Sequence, residues 1–217
     1  MQDKFVYFDL GNVLVHFDHD IAVGNVAQLS RRDAEFVRQT LFASGLQDRF
    51  ETGLISSAQF AQTALQSLEC ELQCEVLLDA ISAIFKPNDS MLAILQQLKE
   101  LGVPMAVLSN TCEAHWLWIL QQNWRVMQGW FDYSILSYEA RSMKPNAGIY
   151  DLSERRSGRR PEQLFFTDDR ADNVAAASAR GWTAHQFSSV DSLAEELGAW
   201  LGVKLDPRAY VAARTSA

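Results

Sequence analysis

Cysteine, proline, basic residues and long apolar runs are all in short supply in this chain. Its three cysteines, Cys70, Cys74 and Cys112, are an odd number without framework spacing. That excludes a disulfide scaffold and fits reduced thiols in a cytoplasmic setting. Cys70 and Cys74 stand one helical turn apart, but two thiols without a histidine or further cysteines do not make a zinc site. No apolar run approaches the roughly 18 residues of a membrane span. The apolar stretch Phe5 to Phe17 is broken by Asp9 and lacks a basic leader and a small-residue cleavage site, so it does not read as a signal peptide. Lys and Arg number 19 against 27 Asp and Glu, a net charge of −8. That deficit argues against nonspecific nucleic-acid binding and against docking on anionic membranes. No internal repeat and no low-complexity stretch is visible.

What is present is an ordinary globular composition, with 48% hydrophobic and 21% charged residues over 217 positions. That length suits one domain, or one domain carrying an insert. Phe5 to Asp9 opens with a nearly continuous apolar run, the signature of a strand buried on both faces of a parallel sheet. Val103–Ser109, Gln163–Thr167 and Thr183–Phe187 read the same way, and Phe131–Ser137 is a fifth candidate. Helical patterns lie between them; Met91, Leu92, Leu95 and Leu98 recur at helical spacing, with Gly102 as the stop. Strands alternating with helices imply a parallel α/β sheet with right-handed crossovers. Residues 16–87 show no convincing strand and several helical stretches, one capped by Ser56 or Ser57. Seventy helical residues exceed a plain crossover, so they read as an inserted α-helical cap. The expected organisation is a core of residues 1–15 and 88–204, a cap of 16–87, and a loosely held tail of 205–217.

Four polar clusters fall at or just after strand ends, where open α/β sheets bind ligands. They are Asp9-Leu10-Gly11-Asn12, Ser109-Asn110-Thr111, Lys144-Pro145, and Asp168-Asp169 with Asp172-Asn173. A lone Asp after a strand is more often a helix cap; four clusters in register are not explained by capping. Converging carboxylates from Asp9, Asp168 and Asp169 suit a hard divalent cation such as Mg2+. Ser109 offers a hydroxyl beside main-chain N–H groups, suited to a phosphate oxygen. Lys144 adds a positive point charge. A carboxylate nucleophile, a metal and a lysine together make a kit for phosphoryl transfer through an aspartyl-phosphate.

The ordered set Phe-Asp-Leu-Gly-Asn-Val-Leu, Leu-Ser-Asn-Thr, Met-Lys-Pro and Phe-Phe-Thr-Asp-Asp with Ala-Asp-Asn resembles the haloacid dehalogenase-like (HAD) hydrolase superfamily, from Phe5 to about Leu201. The helical insert after the first motif is similar to that superfamily's small α-helical cap. Within it, Glu51-Thr52-Gly53-Leu54-Ile55-Ser56, followed by Phe60, resembles a recurring cap stretch. The nearest flavour is the bacterial alpha-D-glucose-1-phosphate phosphatase subgroup. The resemblance implies a doubly wound five-stranded core in the order 5-4-1-2-3. It also implies a Mg2+-dependent phosphatase acting on a small phosphorylated metabolite, a sugar phosphate by preference, as a monomer or homodimer. By it, Asp9 is nucleophile and metal ligand, Gly11 lends its carbonyl to the metal, and Ser109 and Asn110 hold the phosphoryl group. Lys144 then bridges Asp9 and phosphate. Asp169 is the first choice for the metal and Asp168 the second; Asn173 or Asp172 completes the motif, depending on the alignment.

One position departs from the pattern. Most phosphatases of the superfamily carry a second Asp two residues after the nucleophile, as general acid and base; here that residue is Gly11. Either the leaving group needs little help or another residue supplies the proton. His115, after the second motif, and His16, in the loop entering the cap, are the candidates, because imidazole titrates near neutrality. The rival readings are a dehalogenase, which also lacks the second Asp but needs no metal, and a catalytically poor phosphate-binding or regulatory protein. Trp116, Trp118, Trp124 and Trp130 read as packing residues. Arg155, Arg156, Arg159 and Arg160 read as a solvated helix end.

Overall fold

The computed structural model describes residues 3–210. Its centre is a five-stranded parallel sheet of β1 (Phe5–Phe8), β4 (Met105–Ser109), β5 (Tyr133–Leu136), β6 (Leu164–Asp168) and β7 (Thr183–Gln186), in the spatial order β5-β4-β1-β6-β7. Counted along the sheet's own strands, this is the expected 5-4-1-2-3 order. All five strands lie within two residues of their expected positions.

The strands form where they do because they can bury both faces. Every residue of β1, β4 and β6 is buried. Val6 and Phe8 point to one face, where they join Met105, Val107 and Phe165 under the helices Leu92–Glu100 and Val190–Leu201. Phe5 and Tyr7 point to the other, with Ala106, Leu108 and Phe166 under Ala147–Ser157 and Ala171–Ala179. This is the period-2 alternation of a pleated strand, with apolar residues on both faces until the polar carboxyl ends at Ser109 and Thr167–Asp168. The Tyr7 hydroxyl is satisfied inside that layer by the Ser153 carbonyl (2.7 Å) and Tyr133 (2.8 Å).

Between β1 and β4 the chain leaves the sheet for a second, helical layer with its own core. Val26, Leu41, Phe50, Phe60, Leu68 and Leu77 are its buried residues, and Cys112 is the core residue that completes it. Its helix Ser57–Leu68 starts at Ser56, whose side chain and Gln59 form a reciprocal capping box. The helical cap is joined to the core by strands, where residues 16–87 were expected to have none. A two-stranded antiparallel ribbon of β2 (Val15–Phe17) and β3 (Phe85–Pro87) carries the chain in and out. Three-residue strands whose partners lie seventy positions apart leave no periodic signal.

The chain after Leu205 also departs from expectation. Leu205 is buried, and Asp206 exchanges two backbone hydrogen bonds with the Gln97 side chain (2.7 and 2.9 Å), so 205–210 is packed against the core; the rest of the expected tail lies outside the described residues. The tryptophans pack as expected. Trp116, Trp118, Trp124 and Trp130 flank the core, and Trp118 Nε1 donates to Asp79 of the cap (3.1 Å). Arg155 and Arg156 sit in the last turn before Gly158, with the Arg156 guanidinium over the Tyr133 ring. Among the described residues, no helix is long and apolar enough to cross a membrane.

Candidate active site

The carboxyl ends of β1, β4 and β6 converge beneath the cap. Asp9 leaves β1 into a tight loop, in which Val15 N–H returns to the Leu10 carbonyl (2.9 Å) and Asn12 N–H to the Val15 carbonyl (2.6 Å). Asn12 takes a left-handed conformation (φ 54°), which asparagine tolerates better than most residues. Its side-chain amide donates to the Asp169 carboxylate at 2.9 Å.

Lys144 is the electrostatic centre. It is 4% exposed, and its three ammonium protons meet Asp9 Oδ1 (2.8 Å), the Leu108 carbonyl (2.8 Å) and Asp168 Oδ2 (2.5 Å). Asn110 holds the lysine's main chain: its Nδ2 donates to the Lys144 carbonyl (2.8 Å), and its Oδ1 accepts the Lys144 N–H (2.7 Å). The Asn110 side chain is therefore a mount for the lysine first. Ser109, also expected to hold phosphoryl, is buried, and among the described residues its hydroxyl donates to the Asn110 carbonyl alone, at 3.3 Å.

Asp168 and Asp169, adjacent in sequence, sit in different surroundings. Asp168 is fully buried and takes hydrogen bonds from Lys144, Asn173 Nδ2 (3.0 and 3.1 Å) and the Arg170 N–H (2.9 Å). Asp169 is half-buried on the wall of the cleft, with Asn12 as its donor. Asp172 is exposed and holds Arg170 through two contacts (3.1 and 2.8 Å), outside the cluster. The register that pairs Asp169 with Asn173 is thus the one that faces the cleft.

Asp9, Asp168 and Asp169 each offer an oxygen, all within 4.8 Å of one another. Three carboxylates against one ammonium leave an excess of negative charge in a buried place. Burial and Asp168 push the Asp9 carboxyl up to about 7, against the pull of Lys144. Asn173 Oδ1 is buried and unpartnered among these groups. The donor set fits a hard, oxygen-seeking divalent cation, which favours the charged carboxylates.

Above this cluster opens a cleft of about 460 Å³, lined on the core side by Asp9, Gly11, Asn12, Lys144 and Asp169 and on the cap side by Phe17, His19, Asp48 and Glu51. None of these four cap residues was assigned a role from sequence. Phe17 explains Gly11. A Cβ on Gly11 would lie 2.7 Å from the Phe17 ring, so the space for a side chain two residues past Asp9 is already filled. Phe17 in turn packs in tilted contact with His19 (5.0 Å) and Phe85 (5.9 Å).

His115 does not suit the acid's role expected of it. It is buried edge-on to Phe85 (5.2 Å), and burial pushes its imidazole down to about 4, leaving it without the acidic proton at neutral pH. His16 is exposed on β2, facing away from Phe17. The imidazole on the cleft wall is His19, three residues further on at the start of the helix His19–Ser30; burial also lowers it.

A doubly wound core with a helical cap inserted after its first strand, and an acid–lysine cluster at the sheet's carboxyl edge, defines a class of capped α/β hydrolase. Residues 4–181 match the model of the haloacid dehalogenase-like hydrolases, and the chain belongs to that family. It is 26% identical to the D-ribitol-5-phosphate phosphatase of Bacteroides thetaiotaomicron over 188 residues, 84% of this chain and 91% of that one. To an (S)-2-haloacid dehalogenase of Pseudomonas fluorescens it is 28% identical over 106 residues, 46% of this chain and 44% of that one. Among solved structures, it shares its fold with a HAD family enzyme of Bacteroides thetaiotaomicron in complex with magnesium and inorganic phosphate (TM-score 0.77, 24% identity, 85% of this chain and 94% of the other). The same holds for the L-2-haloacid dehalogenase of Xanthobacter autotrophicus with chloropropionic acid covalently bound (TM-score 0.61, 19% identity, 97% and 91%).

Proposed function

We propose that this hydrolase is a Mg2+-dependent phosphatase that releases orthophosphate from a small sugar or polyol phosphate. The observation that carries the reading is the cluster of Asp9, Asp168 and Asp169 around Lys144, three acids against one base, opening on a cleft of metabolite size. A dehalogenase needs no such excess of carboxylate. Likeness over most of both chains to a polyol-phosphate phosphatase supports the same choice. The role carries with it a cytoplasmic location, a monomer or homodimer, and a cap of about residues 16–87 that shapes the substrate end.

Asp9 attacks phosphorus in line; the new Asp9–phosphorus bond forms as the bond to the leaving oxygen breaks. Water then attacks phosphorus, the Asp9–phosphorus bond breaks, and orthophosphate leaves. Lys144 holds Asp9 in place through its contact with Oδ1, and its charge opposes that of the phosphoryl oxygens. Ser109 and Asn110 bound the phosphoryl pocket on the β4 side, and Asn110 keeps Lys144 in register. Asp9, the Gly11 carbonyl and Asp169 would hold Mg2+, with Asp168 behind them. When bound there, the ion supplies charge stabilisation to the phosphoryl group.

The test is phosphate release over a panel of sugar and polyol phosphates, with Mg2+ and with a chelator, beside chloride release from 2-haloacids. Phosphate release that requires Mg2+ is the expected result. Chloride release without metal makes the chain a dehalogenase, and neither activity makes it a phosphate-binding protein.

A further inference from the structure

The cleft has a place for a proton donor, but not where the family pattern puts it. Two residues past Asp9 the Phe17 ring crowds the place of a side chain, so an acid there would have to displace the ring. Across the same cleft, from the cap, Glu51 faces Asp9 and Gly11, and it also lines the small adjoining cavity that holds Gly11 and Ser109. We propose that Glu51 is the general acid and base of the reaction, a carboxyl delivered from the cap in place of one on the nucleophile loop. This assignment rests on the phosphatase reading and deepens it.

Three observations support it. The first is position: Glu51 ends the helix Leu46–Glu51, and that end is fastened to the core. The Ser137 hydroxyl donates to the Glu51 carbonyl (2.6 Å) and also takes the Thr111 N–H (2.9 Å), one residue from Asn110. Thr52 Oγ1 reaches Met143 Sδ (3.0 Å), beside Lys144. A Cβ on Gly53, which has φ 72°, would collide with the Tyr138 carbonyl, so the chain here is pressed onto the core. The second is company: Glu51 makes no ion pair among the described residues, and its carboxylate receives only the neutral Gln47 amide (2.9 Å). Asp48 on its own helix, His19 from the first cap helix, and Cys112 and His115 from the core are near it; Lys144 and Arg170 line the same cleft, but Lys144 pairs with Asp9 and Asp168 and Arg170 with Asp172, not with Glu51. The third is that burial, with the Asp48 charge, raises the Glu51 carboxyl from its ordinary value, which favours the protonated form a donor needs. His19, lowered by burial, is the poorer donor.

In the first step, as Asp9 bonds to phosphorus, the Glu51 carboxyl gives its proton to the departing oxygen and becomes carboxylate. In the second, the carboxylate takes a proton from the attacking water, orthophosphate leaves, and both acids return to their starting forms.

The experiment measures Mg2+-dependent kcat/KM on aryl phosphates of graded leaving-group pKa and on a primary alkyl phosphate. It compares wild type with Glu51→Gln and His19→Asn. Glu51→Gln should stay within a few-fold of wild type on the most acidic phenol. It should lose about 10²-fold or more on the alkyl phosphate, a steepened leaving-group dependence. Competitive inhibition by orthophosphate in Glu51→Gln should match wild type, showing an intact site. A uniform loss across all leaving groups, or no loss, overturns the assignment, as does steepening in His19→Asn instead. A wild type inert on every ester, with Mg2+ present, overturns the phosphatase reading beneath it.

Discussion

The core and the cap hold their acids in opposite ways. Asp168 is ringed by donors: an ammonium, a side-chain amide and a main-chain N–H all reach its two oxygens. The Glu51 carboxylate receives the neutral Gln47 amide and, among the described residues, makes no ion pair. The core's carboxylates are mounted on strand ends, whose backbone is fixed by a sheet buried on both faces. The cap's carboxyl is mounted on a six-residue helix whose end is held to the core by contacts of Ser137, Thr52 and Gly53. The lesson is a division of labour: charge that must stay put is built into the sheet. The carboxyl proposed to move a proton is placed on a separate layer, where burial without an ion-pair partner raises it from its ordinary value.

The comparison can be broken first at the neighbouring pair. Asp168→Ala leaves Lys144 buried with one carboxylate fewer, so it should destabilise by about 3–5 kcal/mol. Asp169→Ala, half-exposed, should leave the melting temperature nearly unchanged while raising the Mg2+ requirement by about tenfold or more. Denaturant unfolding and Mg2+ titration of activity on both variants check this; the reverse pattern would exchange the two roles. Next comes Gly11. Gly11→Asp, built to restore an acid near the nucleophile, should instead cost about 1–3 kcal/mol through the clash with Phe17 and rescue no substrate. A gain on alkyl phosphates would show that Phe17 yields easily and that the cap acid is not needed.

The smallest effect concerns His115. Its folded pKa, about 4, lies below the ordinary 6.5, so the unfolded chain takes the proton first. Its share of stability is therefore complete above pH 6.5 and fades as pH falls toward 4. His115→Gln should remove about 1–2 kcal/mol of the difference in unfolding free energy between pH 7.5 and pH 5. An unchanged pH dependence would mean that the imidazole is more solvated than its packing against Phe85 implies.

Most of the sheet was legible because burial on both faces writes itself as apolar runs, as in Phe5–Phe8 and Leu164–Asp168. Asp9 and the acidic pair were legible as polar groups at strand ends, where such sheets bind ligands, and Lys144 as one in the connection that follows β5. What stayed hidden depended on direction. Nothing in the spacing of His16 and His19 says that a three-residue strand turns His16 outward and brings His19 onto the cleft. Nothing at Gly11 says that Phe17, six residues on, will fold back over it. Glu51 stood in a stretch recognisable by resemblance, with Gly53 as its best signal, since a glycine after a short helix marks a close approach. Its chemistry needed the cap's orientation, which rests on contacts such as Ser137 to the Glu51 carbonyl that no local pattern encodes.

Asp9 carries the proposed chemistry most directly. Its decisive measurement is Mg2+-dependent phosphate release by Asp9→Asn beside wild type, with melting temperatures taken in the same buffer. The amide can still accept the Lys144 hydrogen bond but cannot attack phosphorus, so release should fall by at least about a hundredfold while the fold persists. Release within a few-fold of wild type from a folded Asp9→Asn protein would contradict the aspartyl-phosphate route and, with it, the reading of the whole cluster.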